Sequence, residues 1–430
     1  MILFVCAVAA LLLLLVAGLP IAFSLAVVGV AGFALARGPE AAIIMIGQVG
    51  LDSATNYGFS VLPLFILMGN IIGRTRLARD LYAAAYAFLG HRRGGLAMAT
   101  IGASGGFAAI SGSSYACAAT MTGISVPAMR EYNYEPGFAA ASVAVGGTLG
   151  VLIPPSVGMV FYSLLTGISL GKLMIAGILP GLLTIALYLM VISIVTRWRP
   201  SWGPIGRGSD WRARLRSLAG VWPILLLFTL IVGGIYFGIL TAMEAAGVGA
   251  AGALALSLLR RQITLRTLRE AITSTVITTV NLFLVFFGAL LFANLVTIAG
   301  VPQALLQAIS NSGLSGLEML AITVAVFLAL GCILESTSLL LLTLPIFFPV
   351  LTGLGYDPVW FGIFVIVVAE IGLITPPIGM NVFVVGSMLP DIPVQRIFRG
   401  LLPFLAADLL RLALLILLPG IALLLPGLMG

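Results

Sequence analysis

A pair of adjacent prolines interrupts an apolar stretch twice in this chain, at Pro154-Pro155 and again at Pro376-Pro377. Proline has no backbone N–H and its ring collides with the preceding turn, so each pair must break whatever helix runs into it. The two breaks belong to a repeat. A constant offset of 222 residues aligns the two pairs, and also Ser114 with Ser336, Pro127 with Pro349, Tyr134 with Tyr356, Pro136 with Pro358 and Gly150 with Gly372. One residue further out, at 223, Gly177 meets Gly400 and Pro180 meets Pro403, so residues 111–182 recur in weaker form at 333–404. Short periods indicate a solenoid, whereas two copies this far apart indicate a duplicated half. Membrane chains built from two halves, each with a broken helix, are typically secondary transporters with the site at the repeat interface.

Composition supplies the membrane. Of the 430 residues, 61% are hydrophobic and 8% charged, with a mean hydropathy of +1.21. A soluble domain carries about 25% charged residues, and the longest polar stretch, Arg197–Ser217, leaves no room for one. Apolar runs of about 20 residues cross the hydrocarbon core as helices, so the expected fold class is an all-α polytopic membrane protein lying in the lipid bilayer. Met1–Gly18 is apolar without a basic leader or a cleavage site and reads as a retained transmembrane helix. Cys6, Cys117 and Cys332 are isolated in apolar segments, with no paired spacing for metal or disulfide, and read as small buried side chains.

The net charge of +7 is no nucleic-acid footprint, because its location explains it. Arg197, Arg199, Arg207, Arg212, Arg214 and Arg216 lie in one polar stretch, and Arg260, Arg261, Arg266 and Arg269 in the next. Two spans, 219–236 and 240–259, separate them, which puts both stretches on one side; the positive-inside rule makes that side cytoplasmic. Counting from there, 95–130 begins after His91, Arg92 and Arg93 and ends at Arg130, and so returns to its starting side. Its centre, Ser111-Gly112-Ser113-Ser114, reads as the tip of a re-entrant hairpin. Non-helical backbone at that depth is tolerated only when buried in protein or lining a cavity. In the second copy 279–299 crosses, 302–313 is a short polar-punctuated segment, and 317–352 returns as a hairpin with its turn near Glu335-Ser336. The copies enter from opposite sides, giving an inverted repeat with two re-entrant hairpins and two Pro-Pro-broken helices.

Each proline pair frees carbonyls upstream, expected from Gly150 to Ile153 and from Gly372 to Thr375. Half-helix C-termini with freed carbonyls suit a dehydrated cation, and opposing N-termini favour anionic groups. Hydroxyls of Ser111, Ser113, Ser114, Ser336, Thr337 and Thr375 add neutral oxygens of the kind sodium prefers. Carboxylates inside a membrane are expensive and usually functional. Glu335 at the second tip and Glu370 before Gly372 either balance a cation's charge or hold the mobile unit together, with Asn381 and the nearby backbone as partners for Glu370. Glu244, beside a turn, reads as a scaffold or docking residue, while Asp52 and Asn56 sit in a polar loop. Enzymatic signatures are weak. Gly167–Lys172 is one residue short of a phosphate loop and Leu173 stands where Ser or Thr belongs, and the single His91 has no catalytic partner.

At these residues the chain resembles the large membrane subunit of tripartite ATP-independent periplasmic (TRAP) transporters, the DctM-like family. The resemblance runs nearly end to end. Its most specific pieces are Leu19-Pro20-Ile21-Ala22-Phe23, Pro63-Leu64-Phe65-Ile66-Leu67-Met68-Gly69, Ser111-Gly112-Ser113-Ser114, Ile153-Pro154-Pro155, and Glu370 through Thr375-Pro376-Pro377 to Asn381. Thr241-Ala242-Met243-Glu244 departs from the family's more frequent Thr-Pro-Thr-Glu. The resemblance implies sodium-coupled import of a small carboxylate across the bacterial inner membrane by an elevator-type movement. It implies two partners, a periplasmic substrate-binding protein and a small four-helix DctQ-like subunit, the latter expected as a separate polypeptide. No cofactor is implied beyond sodium as coupling ion. The rival reading is a binding-protein-independent carrier of the divalent-anion/sodium symporter type, which shares hairpins and inverted repeats.

The implied organisation places scaffold and arm helices at 1–94 and 173–316 and a C-terminal helix at 399–430. The first transport repeat is 95–172 (hairpin 95–130, broken helix 138–168) and the second 317–398 (hairpin 317–352, broken helix 360–390). Sodium is expected at Ser111, Ser113, Ser114, Gly150, Ile153 and Pro155, and at Gly331, Gly372, Thr375 and Ile378. The substrate is expected at Ser113, Ser114, Pro155, Glu335, Ser336, Thr337, Pro377 and Asn381.

Overall fold

The computed structural model describes residues 2–312 and 314–429, and every regular element among them is helical. The chain opens with α1 (Ile2–Val16), α2 (Ile21–Arg37), α3 (Pro39–Thr55), α4 (Val61–Gly73) and α5 (Leu77–Leu89). A first hairpin follows, α6 (Gly95–Ser111) and α7 (Ser114–Glu131), then a broken helix, α8 (Pro136–Leu152) and α9 (Val157–Thr166). Next come α10 (Leu170–Ala176), α11 (Ile178–Trp198), α12 (Trp211–Phe228), which runs through a π turn into α13 (Gly234–Tyr236), and α14 (Ala242–Leu259). The second half holds α15 (Leu265–Ile298), α16 (Val301–Ser312), hairpin α17 (Gly316–Gly331) and α18 (Ser336–Gly353), and broken helix α19 (Pro358–Gly372) and α20 (Met380–Met388). It closes with α21 (Val394–Leu417) and α22 (Gly420–Gly427). Seven of these spans are long and apolar enough to cross a membrane, and α3 with α4, bent by 54°, makes an eighth.

The sequence offset reappears as matched helix ends. Both ends of α7 and α18 differ by 222 residues, and α8 and α19 start at Pro136 and Pro358. Local chemistry sets these starts. Glu135 and Asp357 cap the two helices by accepting backbone N–H groups of the first turn, from Phe138 and from Val359 and Trp360. Each is followed by a proline, whose missing donor costs nothing at the first helical position.

The half-helices beyond the breaks are exchanged between the repeats. Of the first broken helix, α9 packs on α18 of the second hairpin; of the second, α20 packs on α7 and α8. Two cores result. One gathers α4, α9, α10, α14, α15 and α17–α19 around residues such as Phe161, Phe292 and Phe364. The other gathers α6–α8, α11, α20 and α21 around Phe107, Phe138 and Phe404. At one edge, ion pairs Arg130–Asp391 (2.7 Å) and Arg396–Glu135 (2.5 Å) fasten the first repeat to the α20–α21 connection and to α21. The Arg130 guanidinium, hydrogen-bonded to the Asp391 carboxylate, holds that carboxyl below its ordinary range.

Several sequence expectations change here. Asp52 lies in the last turn of α3, and only Asn56 is in the bend, where it caps a short 3-10 turn through the Gly58 N–H. The polar residues 265–278, outside the expected span 279–299, are the first turns of α15, a continuous helix of 34 residues. The departure at Ala242-Met243 leaves the turn intact, because Thr241 and Glu244 still form a reciprocal capping box at the start of α14.

Candidate functional site

The first hairpin ends where Gly112 turns into the left-handed region (φ 58°) and Ser113, extended at φ −135°, caps α7 through the Ala116 N–H. This tip is pressed against the first break, backbone to backbone. A Cβ on Gly150 would lie 2.7 Å from the Ser113 carbonyl, and one on Gly112 would lie 2.8 Å from the Pro155 carbonyl oxygen. Only glycine fits either contact. At the break, Pro154 and Pro155 offer no N–H to the carbonyls of Gly150 and Val151. Ser156 takes over one of them, donating its hydroxyl to Val151 O and capping α9 through the Met159 N–H.

The second tip repeats the arrangement with different atoms. A Cβ on Gly372 would lie 2.8 Å from Gly331 Cα, so the end of α17 and the end of α19 also meet backbone to backbone. Cys332 Sγ donates to Pro376 O (3.1 Å), and Gly379 N donates to Cys332 O (3.2 Å), tying tip to break. Glu335 caps α18, accepting from Ser338 N (3.4 Å) and from Thr337 Oγ1 (2.8 Å). Both proline pairs are joined by cis peptide bonds.

The two tips face one cavity of about 610 Å³. Ser111, Ser113, Ser114, Glu335, Ser336 and Thr337 line it together with residues of α4 and α15. Ser111 Oγ is buried there without a hydrogen-bond partner among the described residues. The remaining sequence-selected residues stand elsewhere. Gly150, Ile153 and Pro155 lie behind the first tip, Ile153 being covered by Gly105 and Gly181 of neighbouring helices. Gly331 and Gly372 form the contact behind the second tip. Pro377 and Ile378 are exposed, and Thr375 Oγ1 is committed to Ile371 O (2.6 Å). Asn381, on α20, crosses to the first repeat and donates to Ala144 O of α8 (3.2 Å).

Two expectations about carbonyls and carboxylates are corrected. In the second break, Gly372 O accepts from Thr375 N (3.1 Å) and Leu373 O from Asn381 N (3.0 Å), so neither is free. Glu370 does not use Asn381. Its partner is Arg411 of α21, at 2.9 Å, in a fully buried cluster. Arg411 also donates to Thr184 Oγ1 (2.8 Å) and pairs with Asp408 (3.0 Å), which accepts from the Tyr188 hydroxyl (2.9 Å). Sequence reasoning passed over Asp408 and Arg411, although charged residues inside an apolar run were signal enough. The cluster joins α11, α19 and α21.

Comparison with known proteins bears on the same residues. The family described as "Tripartite ATP-independent periplasmic transporter, DctM component" matches residues 8–421. The chain is 37% identical over 382 residues to the C4-dicarboxylate TRAP transporter large permease protein DctM of Pseudomonas aeruginosa, covering 88% of each chain. It is 34% identical to the sialic acid TRAP transporter large permease protein SiaM of Vibrio cholerae, covering 96% of each. In fold it is similar to the Alcanivorax borkumensis YdaH transporter, with a TM-score of 0.59 at 15% identity over 91% of this chain and 89% of that one.

Proposed function

The chain belongs to the DctM component family of TRAP transporters, and from that premise we propose that it imports a small organic acid coupled to sodium, with a periplasmic binding protein delivering the substrate. It is a multi-pass permease of the inner membrane and a transporter rather than an enzyme. Permeases of this family work with a small membrane subunit and a periplasmic binding protein. For this chain, the small subunit would dock on the lipid-facing helices.

One observation carries the reading: each helix break is locked to its own hairpin tip by glycine contacts, and both tips share a cavity. Neutral oxygens dominate the tips, and the buried, unpartnered Ser111 hydroxyl has a lone pair to offer a sodium ion. We place sodium at Ser111, Ser113 and Ser114 with the Gly150 carbonyl, and at the symmetry-related second tip. The substrate carboxylate sits between them, near Ser114, Ser336 and Thr337. The second site draws on carbonyls beyond Leu373, since those of Gly372 and Leu373 are taken.

In an elevator movement, tips and breaks travel together, because separating them would leave backbone groups unsatisfied in lipid at several kcal/mol each. We include α11 and α21 in the moving unit. The Arg411 cluster ties both to α19, and pulling it apart would strand charges in hydrocarbon.

The test is uptake in proteoliposomes containing the permease and its small subunit, with the binding protein outside. Uptake that stops when choline replaces sodium, at fixed pH and potential, supports the coupling. Undiminished uptake without sodium overturns it. Undiminished uptake without the binding protein would favour a binding-protein-independent carrier instead.

A further inference from the structure

The part of the cavity wall supplied by α4 and α15 carries a cluster of polar side chains, which the functional reading leaves without a task. Asn70 of α4 and Arg74, which caps the C-terminal end of that helix, stand there beside Ser274, Thr278 and Asn281 of α15. The three α15 residues are spaced by four and three, which puts them on one helix face. They are the members of a polar segment, which also holds Thr273, Thr275 and Thr279, that reach this cavity. Ser274 donates to Asn70 Oδ1 (3.3 Å), and Asn70 Nδ2 donates to Thr275 Oγ1 (3.0 Å), so Asn70 is held in place. Thr278 and Asn281 have no hydrogen-bond partner among the described residues.

Arg74 is the one cation lining this cavity, and Glu335, at the tips, the one anion. The guanidinium donates only to neutral oxygens: Asn70 O (3.1 Å), Asn70 Oδ1 (3.4 Å) and the Glu270 carbonyl (3.2 Å). The Glu270 carboxylate is taken by Arg266 (3.1 Å), and Arg74 enters no ion pair among the described residues. A guanidinium carries five N–H donors in a fixed fork that matches a carboxylate. A half-buried, uncompensated cation of this kind favours an anion. Beside Arg74 lies a groove lined also by Arg269, Glu270, Thr273 and Ile277, where two arginines stand with one glutamate whose carboxylate pairs with Arg266.

We propose that Arg74, with Thr278 and Asn281, forms a carboxylate-binding subsite on the fixed wall of the cavity, which receives the transported acid as it leaves the hairpin tips. This rests on the reading of the chain as an organic-acid importer. The occupant is a carboxylate of that acid: Arg74 binds it as a counter-ion, while Thr278 and Asn281 donate hydrogen bonds along the path from the tips. Because α15 also carries the basic turns at its start, the subsite lies at the end of the cavity that faces the Arg260–Arg269 stretch.

The experiment measures sodium-driven uptake in proteoliposomes for wild type, Arg74→Gln, Arg74→Lys and Asn281→Leu, with succinate, N-acetylneuraminate and the acid bound by the cognate binding protein as probes. Arg74→Gln should raise the apparent KM about tenfold or more, the loss of a charge-assisted hydrogen bond, with the sodium concentration for half-maximal uptake unchanged. Arg74→Lys should recover part of that loss, and Asn281→Leu should raise KM to a smaller extent. If Arg74 merely braces α4 against α15, Arg74→Gln will lower the melting temperature and Vmax with KM unaltered, Asn281→Leu will be silent, and the subsite is disproved. Asn281→Leu keeps the question open to test if Arg74→Gln does not fold, since its side chain braces nothing. Wild type that takes up none of these acids would instead fail the importer reading, and the subsite with it.

Discussion

Arg411 of α21 meets Glu370 of α19 at 2.9 Å, both side chains 1% exposed, at positions whose counterparts in the first repeat carry no charge. The offsets that relate the repeats place Tyr188 opposite Arg411 and Thr148 opposite Glu370. The offset of 222 matches helix ends between the two halves, and among the described residues this buried ion pair has no charged counterpart in the first. Asp408 adds a second carboxylate, so the cluster holds two acids to one base, with the Tyr188 and Thr184 hydroxyls completing it.

That imbalance predicts asymmetric mutant effects. Arg411→Gln removes the only base and leaves two buried carboxylates facing each other, at a cost of about 3–5 kcal/mol. Glu370→Gln removes the excess acid and leaves one base with one acid, so it should cost far less. Thermal unfolding of the detergent-solubilised protein should rank Arg411→Gln well below Glu370→Gln. Equal losses would show that charge balance is not what the cluster provides.

The glycine contacts behind the tips make a steric prediction. Gly150→Ala sets a methyl group 2.7 Å from the Ser113 backbone, and Gly372→Ala sets one 2.8 Å from Gly331 Cα. Backbone cannot yield as a flexible side chain does, so each should cost about 1–3 kcal/mol and abolish sodium-dependent uptake by displacing its tip. Gly123→Ala, with nothing within 4 Å, is the control and should behave as wild type. Normal uptake by both site variants would mean that tip and break need not stay docked.

Cross-links separate moving from fixed elements. Gly69 of α4 approaches the first tip closely, its missing Cβ 3.1 Å from Ser111 Cα, whereas Gly105 of α6 touches Ile185 of α11. With native cysteines removed, oxidising Gly69→Cys/Ser111→Cys should halt whatever uptake the reduced protein has. Oxidising Gly105→Cys/Ile185→Cys should leave uptake as it was if both helices travel together in the proposed moving unit. Loss of uptake in the second pair would return α11 to the scaffold.

Sidedness is tested by labelling. Gly208 and Leu265, the latter 87% exposed, lie within the two arginine-rich stretches. Single cysteines at 208 and 265 should react with a permeant maleimide and resist an impermeant one added outside intact spheroplasts. Ready labelling from outside would invert the topology.

The helical membrane class, the two breaks and the turns near Gly112 and Glu335 were legible in the sequence, because each has a local cause. A proline lacks its donor wherever it stands, Gly112 reaches the left-handed region that ends α6, and an acid before Pro136 or Pro358 caps the helix it begins. Family membership was legible from the order and spacing of the same motifs. The arrangement of the site was not. Which half-helix packs on which hairpin, that Asn381 reaches Ala144 across 237 residues, and that Glu370 finds Arg411 rather than Asn381 depend on contacts between segments far apart in the chain. Those contacts are selected by how whole helices pack and by the cost of leaving a buried charge alone, terms that no local window contains. The polar segment of α15 lies between these cases. Its spacing was visible, but only the packing of α4 beside it, with Arg74 left unpaired, turned a row of hydroxyls and amides into a wall of the cavity.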